Sequence, residues 1–98
     1  MTSVRSAGRE KVIEILERLV AFDTESSRSN LPLIDYIEGY LRDLGVASTR
    51  MSNAAGDKAT LFATIGPADR SGICLSGHTD VVPVAGQSWT SDPFKLRI

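Results

Sequence analysis

The 98-residue sequence predicts an α/β fold in which two N-terminal helices are followed by strands of a mixed sheet. Two observations support this prediction. Up to Gly45, the apolar residues recur at helical spacing. Beyond Gly45, short alternating or apolar runs are separated by turns that contain Gly or Pro, which is typical of strands. The length favours a single domain with a small core.

The first helix is predicted over residues 9–22, and the polar run 23–30 that follows is predicted to be a loop. The apolar residues of this helix fall on one face, and the charged residues lie on the other. The apolar stripe consists of Val12, Ile13, Leu16, Leu19 and Val20.

The second helix is predicted from Leu31 to Leu44. Asn30 is a plausible N-cap, and Pro32 is tolerated in the first turn, where its missing N–H costs nothing. Gly45 stands where a left-handed C-terminal cap is expected. The apolar stripe of this helix consists of Leu33, Ile34, Ile37, Leu41 and Leu44.

Strands are predicted at 46–51 and 59–65, and a further strand is predicted to begin at 94–98. Residues 73–75 are predicted to form a short buried strand with His78 beyond its C-terminal end. Cys74 within that run is expected to be an inert core thiol. The alternating pattern continues to Ile98, from which we expect the chain to stop inside a larger domain.

Composition excludes several classes of function. The net charge is −1 and no basic patch stands out, so nucleic acid is not an expected partner. No apolar run is long enough to cross a bilayer, and the first residues lack the apolar core of a signal peptide. The single cysteine allows no internal disulfide, which fits a reducing compartment. A cytoplasmic protein is the default expectation.

The sole histidine, His78, stands two residues before Asp80. Residues i and i+2 of a strand lie on the same side, so the carboxylate can reach the imidazole. A metal-bound histidine usually donates its second ring N–H to such a group. The small residues Ser76 and Gly77 allow a ligand to approach the backbone closely. The alternative is a loop histidine held by a local hydrogen bond, since one histidine alone cannot hold a catalytic zinc.

The segment L-S-G-H-T-D-V-V-P-V-A-G-Q-S-W-T-S-D-P-F, Leu75 to Phe94, resembles the first metal motif of the M20 metallopeptidase family. Within that family it is most similar to the acetylornithine deacetylases, which it matches better than the succinyl-diaminopimelate desuccinylases. The stretches L-V-A-F-D-T-E-S, N-L-P-L-I-D-Y-I and K-A-T-L-F-A-T-I-G-P agree with this resemblance. The chain is thereby identified as an N-terminal part of a zinc-peptidase-like catalytic domain.

The resemblance implies a two-metal amidohydrolase that uses zinc or cobalt. It implies His78 as a metal ligand and Asp80 as the catalytic carboxylate that orients its imidazole. The complete enzyme would be a homodimer that hydrolyses N-acetylornithine to ornithine and acetate in arginine biosynthesis. The family's bridging Asp, general-base Glu, second His and lid domain have no counterpart in residues 1–98, so we expect the chain alone to be inactive.

Other interpretations stay open at this point. The glutamates of the N-terminal part are expected to be solvated: Glu10, Glu14, Glu17, Glu25 and Glu38. Trp89 and Phe94 are interpreted as hydrophobic anchors of their loop. The chain is alternatively a non-catalytic remnant or small interaction module, or part of another M20 deacylase such as a succinyl-diaminopimelate desuccinylase. We also expect exposed apolar surface, with association or poor solubility as its consequence.

Overall fold

The computed structural model describes residues 4–98, with side chains from Ser6 onward. In chain order it contains helix α1 (Val4–Val20), helix α2 (Leu31–Asp43), strand β1 (Ser48–Ser52) and strand β2 (Ala59–Ala63). The predicted α/β class, with two helices before the strands, is confirmed. The chain divides into two compact units, one formed by residues 4–23 with 83–98 and the other by residues 24–82.

The first unit holds α1 and the C-terminal segment 83–98. Helix α1 begins earlier than residue 9, where the sequence placed its start, and ends near the predicted boundary. Its apolar stripe is only partly covered, since Ile13, Leu19 and Val20 are half-buried whereas Val12 and Leu16 are exposed. No described helix is both long and apolar enough to cross a membrane.

The strand predicted at 94–98 is wrong, because residues 93–95 form a turn and residues 96–98 have no regular secondary structure. The Asp92 side chain accepts a hydrogen bond from the Phe94 backbone N–H at 2.9 Å, and Arg97 donates to the Thr90 hydroxyl at 3.0 Å. The first bond uses a backbone N–H that a strand would direct to a neighbouring strand, and the second ties the Arg97 side chain to its own segment. The anchoring prediction fits Phe94, which is half-buried, better than Trp89, which is exposed.

In the second unit, α2 packs on the hairpin formed by β1 and β2. Its core consists of Leu33 and Ile34 on α2, which are 5% and 2% exposed, and Ala59 on β2. Pro32 lies in the first turn, as predicted. At the C-terminus, Gly45 has φ +77°, and bonds from Gly45 N–H to Arg42 O and from Val46 N–H to Leu41 O complete a Schellman motif. The predicted glycine cap is confirmed.

Asn30 occupies the predicted N-cap position, but its side chain makes no capping hydrogen bond to α2. The Ser29 hydroxyl accepts the Leu31 N–H instead, at 3.1 Å. The Asn30 amide is engaged elsewhere, since it bonds both backbone groups of Ala59 at 2.9 Å each. The amide therefore ties the start of α2 to the start of β2.

The hairpin is antiparallel, with Ser48 opposite Ala63 and Ser52 opposite Ala59. Its connecting turn is closed by two bonds between Asn53 and Lys58, one from the Asn53 N–H to the Lys58 carbonyl at 3.0 Å and one from the Lys58 N–H to the Asn53 side chain at 3.1 Å. Both strands were predicted, with boundaries displaced by up to two residues. A mixed sheet was predicted, but the sheet formed by the described residues is the antiparallel hairpin alone. The parallel pairing among these residues is an isolated bridge between Glu25 and Val81.

Arg50 on β1 joins the hairpin to the exposed edge of α2. Its guanidinium donates to Asp35 at 2.6 Å and to Glu38 at 3.1 Å. The hydrogen bonds to Asp35 and then Glu38 raise the pKa of Arg50, whose guanidinium is charged at ordinary pH in any case. The expectation of a fully solvated Glu38 is corrected by this ion pair.

Residues 71–77 carry the clearest disagreement with the sequence prediction. The predicted buried strand at 73–75 is wrong, since these residues form no strand, and Ile73 and Leu75 are 91% and 93% exposed. Cys74 is exposed as well, which corrects its interpretation as a core thiol. A short apolar run becomes a buried strand only where neighbours cover both of its faces, and no described element does so here. The predicted exposed apolar surface is therefore present, whereas association remains a prediction.

Candidate functional site

His78 and Asp80 lie side by side at the surface of the second unit. The His78 Nδ1 atom is 3.1 Å from Asp80 Oδ1 and 2.9 Å from the Asp80 backbone carbonyl oxygen. The His78 side chain is 83% exposed, so its ring is open to solvent on most sides. The structure thus brings together the two residues that their spacing placed on one side of the chain.

These contacts determine which ring nitrogen carries the proton. Both oxygens near Nδ1, a carboxylate and a carbonyl, are acceptors without a hydrogen of their own. Nδ1 therefore has to donate, and in the neutral ring the lone pair is on Nε2. This is the arrangement of metal-ligating histidines, in which one nitrogen binds the metal while the other donates to a carboxylate or carbonyl.

The backbone beyond His78 is held by the loop that precedes α2. The Val81 N–H donates to the Thr24 carbonyl at 3.0 Å, and the Ser26 N–H donates to the Val81 carbonyl at 2.9 Å. These two bonds form the parallel bridge between Glu25 and Val81. The local geometry of residues 79–81 is consequently fixed by residues far away in sequence.

Two side chains add to this support. Thr24 is buried, at 5% exposure, and its hydroxyl donates to the Thr79 carbonyl at 2.5 Å. Asn30 donates to the Thr79 hydroxyl at 3.1 Å while it also bonds Ala59. Thr79, the residue between His78 and Asp80, is therefore bound through both its carbonyl and its side chain.

The Asp80 carboxylate has a partner on its second oxygen. The Ser26 hydroxyl lies 3.3 Å from Asp80 Oδ2 and 3.2 Å from the Val81 carbonyl, so it donates to one or the other. The Lys58 ammonium group in turn donates to the Ser26 carbonyl. A positive charge is thereby held in the loop that supports Asp80.

A cleft of about 710 Å³ opens beside this pair within the second unit. Its apolar wall comes from α2 and the hairpin, with Ile34, Ile37 and Leu61 among the lining residues. His78, Thr79 and Asp80 form the polar end of the cleft. The imidazole is thus located at the mouth of a cavity rather than in a packed core.

The donor set fits one ligand of a metal centre. The Nε2 lone pair of His78 is available and its orientation is supported, which is what a metal ligand requires. Within the described part of the chain, however, no group of three or more His, Cys, Asp or Glu side chains is arranged to hold a metal ion. Glu10, Glu14 and Glu17 are exposed on α1, as expected.

The sequence prediction identified the ligand candidate and its carboxylate but not their support. The sequence placed Thr24 in a loop and Asn30 at the start of α2, but it did not indicate that both side chains bond Thr79. No local signal was available, because Thr24 and Thr79 are 55 positions apart in sequence. The one hint was that the stretch around Thr24 belonged to the family resemblance.

The chain is similar to enzymes named acetylornithine deacetylase. It is 34% identical over 90 residues to the one from Buchnera aphidicola subsp. Acyrthosiphon pisum (strain Tuc7), an alignment that covers 86% of this chain and 23% of the relative. The identity is 35% over 91 residues with the Pasteurella multocida protein, covering 86% and 24%. With the Myxococcus xanthus protein it is 39% over 86 residues, covering 83% and 22%.

These matches confirm the resemblance to acetylornithine deacetylases. The chain spans about a quarter of the length of the curated relatives that it matches. No family model matches the sequence. No solved structure matches it either.

Proposed function

We propose that this chain forms the N-terminal part of the catalytic domain of a metal-dependent amidohydrolase, in which His78 is a metal ligand and Asp80 the catalytic carboxylate that orients it. The complete enzyme hydrolyses the amide bond of N-acetylornithine and releases ornithine and acetate, a step of arginine biosynthesis. The observation that carries the proposal is the contact of His78 Nδ1 with two acceptor oxygens of Asp80 at 2.9 and 3.1 Å.

The pairing of His78 with Asp80 supports metal ligation because it fixes the tautomer of the imidazole before a metal binds. A neutral imidazole with its proton held on Nδ1 offers Nε2 without a tautomeric change. The carboxylate and the carbonyl also fix the direction in which Nε2 points, which is what a bond to a metal ion requires. Zinc and cobalt both accept imidazole nitrogen as a ligand.

The metal and the reaction are supported by similarity to relatives that bear the name acetylornithine deacetylase. When bound, a metal pair of this kind polarises the amide carbonyl and lowers the pKa of a bound water. The residues of this chain contribute one nitrogen ligand and its orientation. The remaining ligands are proposed to come from parts of the complete enzyme outside residues 1–98. We also propose that the complete enzyme is a homodimer.

Taken alone, the 98-residue chain is proposed to have no deacetylase activity and at most weak affinity for zinc. A catalytic zinc needs about three protein ligands. The described residues supply one imidazole, with no cluster of three ligating side chains. Calorimetric titration with Zn²⁺ measures the affinity of the chain and of its His78→Ala variant, and hydrolysis of N-acetylornithine in the presence of Co²⁺ would overturn the proposed inactivity.

The enzymatic proposal is tested in a chimera in which this chain replaces the matching quarter of the Myxococcus xanthus relative. We expect the chimera to hydrolyse N-acetylornithine in the presence of zinc or cobalt, His78→Ala to abolish this activity, and Asp80→Asn to lower it about 10–100-fold. Lys11→Ala, on the exposed face of α1, is the matched control and should leave the rate unchanged.

Substrate choice and loss of function are separate outcomes of the same assay. A chimera that prefers N-succinyl-diaminopimelate would assign the segment to a different deacylase. A folded chimera that binds metal without hydrolysing either substrate would show that the segment is a non-catalytic remnant, and the proposal would be abandoned.

A further inference from the structure

We propose that Thr24 and Asn30 are positioning residues that, through Thr79, hold His78 in its Nδ1–H tautomer and fix the direction of Nε2. The role in metal binding rests on the function proposed above, whereas the tautomer can be measured without any metal.

The ring of His78 needs such support because little else restrains it. Its side chain is 83% exposed, and its hydrogen-bonding contacts, both through Nδ1, are to Asp80 alone. An exposed imidazole without a fixed acceptor samples several rotamers and both tautomers. The orientation of the ring is therefore only as well defined as the position of Asp80.

Thr24 holds the two peptide groups that flank Asp80. Its hydroxyl binds the Thr79 carbonyl, which belongs to the peptide group before Asp80. Its carbonyl accepts the Val81 N–H, which belongs to the peptide group after Asp80. That second group also contains the Asp80 carbonyl, one of the two acceptors for His78 Nδ1. One buried threonine thereby sets the peptide plane that presents the Asp80 carbonyl to the ring, and it fixes the backbone from which the Asp80 carboxylate extends.

Asn30 fixes the same segment from the side of α2. Its amide nitrogen donates to the Thr79 hydroxyl at 3.1 Å, and its amide is itself held by two bonds to Ala59. Ala59 is buried at the start of β2. Thr79 is thus held in place through Asn30 by the buried residue Ala59, whereas the residues before it in sequence are exposed.

The test uses the fact that His78 is the sole histidine, so the imidazole ¹⁵N signals of the full chain need no assignment. At about pH 9 an ordinary imidazole is neutral, and the two nitrogen shifts then report the tautomer. We expect the Nδ1–H form in the wild type. In Thr24→Val the signals should shift toward the Nε2–H form that predominates in free imidazole side chains.

The control variants separate positioning from a general loss of structure. Thr24→Ser keeps the hydroxyl and should restore the wild-type shifts. Thr49→Val removes an exposed hydroxyl from β1 and should change nothing. A folded Thr24→Val variant, judged by its amide spectrum, with wild-type imidazole shifts would overturn the proposal.

A second variant decides the question if Thr24→Val does not fold. Thr79→Val removes only the hydroxyl that Asn30 holds and leaves both bonds between Asn30 and Ala59 in place. A shift toward the Nε2–H form in this variant supports the proposal, and unchanged signals overturn it.

The metal readout keeps the two proposals distinguishable. In the chimera described above, Thr24→Val should lower Co²⁺ affinity about 10-fold or more, as expected for a group that orients a ligand. A tautomer shift in a chain whose chimera never binds metal would refute the amidohydrolase and leave the positioning role intact. Normal metal binding with an unchanged tautomer would refute the positioning role alone.

Discussion

Two apolar stretches of the second unit differ in solvent exposure, since one is buried and the other is exposed. The face of α2 that carries Leu33 and Ile34 is buried against the hairpin, with the side chains 5% and 2% exposed. Residues 73–75 are equally apolar, yet Ile73 and Leu75 are more than nine-tenths exposed. Composition does not distinguish the two stretches.

The difference in burial follows from how a helix and a strand satisfy their backbone hydrogen bonds and cover their apolar faces. A helix closes its own backbone hydrogen bonds and needs only one packing partner. A strand depends on neighbours for its backbone bonds and for both of its faces. Helix α2 has the hairpin as its partner, whereas 73–75 has no described strand beside it. Apolar character alone therefore predicts burial only when the partner lies within the same segment of chain.

The largest effect that this comparison predicts comes from shortening the core of α2. Ile34→Ala removes buried methyl groups and leaves a cavity, so the free energy of unfolding should fall by about 2–5 kcal/mol. In a unit this small, that loss should unfold most of the molecules, as measured by urea or thermal denaturation followed by circular dichroism. Ile73→Ala is the matched control and should change stability by no more than about 0.5 kcal/mol. Equal effects of the two substitutions would break the comparison.

A smaller effect is expected at the end of α2. Gly45 has φ +77° with open space around its α-carbon, so an added side chain meets no atom and only the backbone conformation is penalised. Gly45→Ala should lower stability by about 1–2 kcal/mol. Gly72→Ala, in the exposed segment and also with open space, has no such φ and should be nearly neutral. A neutral Gly45→Ala would mean that the helix ends differently in solution.

The ion pairs of Arg50 should contribute less, because they lie at the surface. Arg50→Met should lower Tm slightly in low salt, and the difference from the wild type should shrink at about 1 M NaCl, where charges are screened within a few ångströms. Arg70→Met, in the exposed turn before residue 71, serves as the control. A salt-independent loss would indicate packing by the arginine stem rather than charge.

The smallest difference is expected for the thiol of Cys74, which is exposed. In dilute solution a thiol reagent should label the native chain about as fast as the chain in urea, since no unfolding is needed for access. Strong protection in the native state would show that residues 73–75 are covered in solution. If protection of the Cys74 thiol from labelling increases with protein concentration, residues 73–75 are covered by a second copy of the chain, which would support the predicted association.

What the sequence could predict follows from how local each feature is. The buried residues Leu33 and Ile34 of α2, the Gly45 cap and the hairpin were predicted because their determinants lie within a few residues of one another. Leu44, the last residue of the predicted stripe, lies beyond the helix and is 63% exposed, which corrects that part of the prediction. The contact of His78 with Asp80 was predictable for the same reason. The exposure of 73–75 was not predicted, because burial of such a run depends on a neighbouring strand. The roles of Thr24 and Asn30 could not be predicted either, because their partner Thr79 is 55 and 49 positions away.

The bridge between Glu25 and Val81 has a kinetic consequence. The helices and the hairpin can form from short-range contacts within microseconds, whereas this bridge requires the closure of a loop that spans most of the second unit. Contacts of such separation are made late, after local elements have reduced the cost in chain entropy. The support of the His78–Asp80 pair should therefore form late in folding, and a chain still emerging during synthesis would present the pair before Thr24 holds the backbone around Asp80.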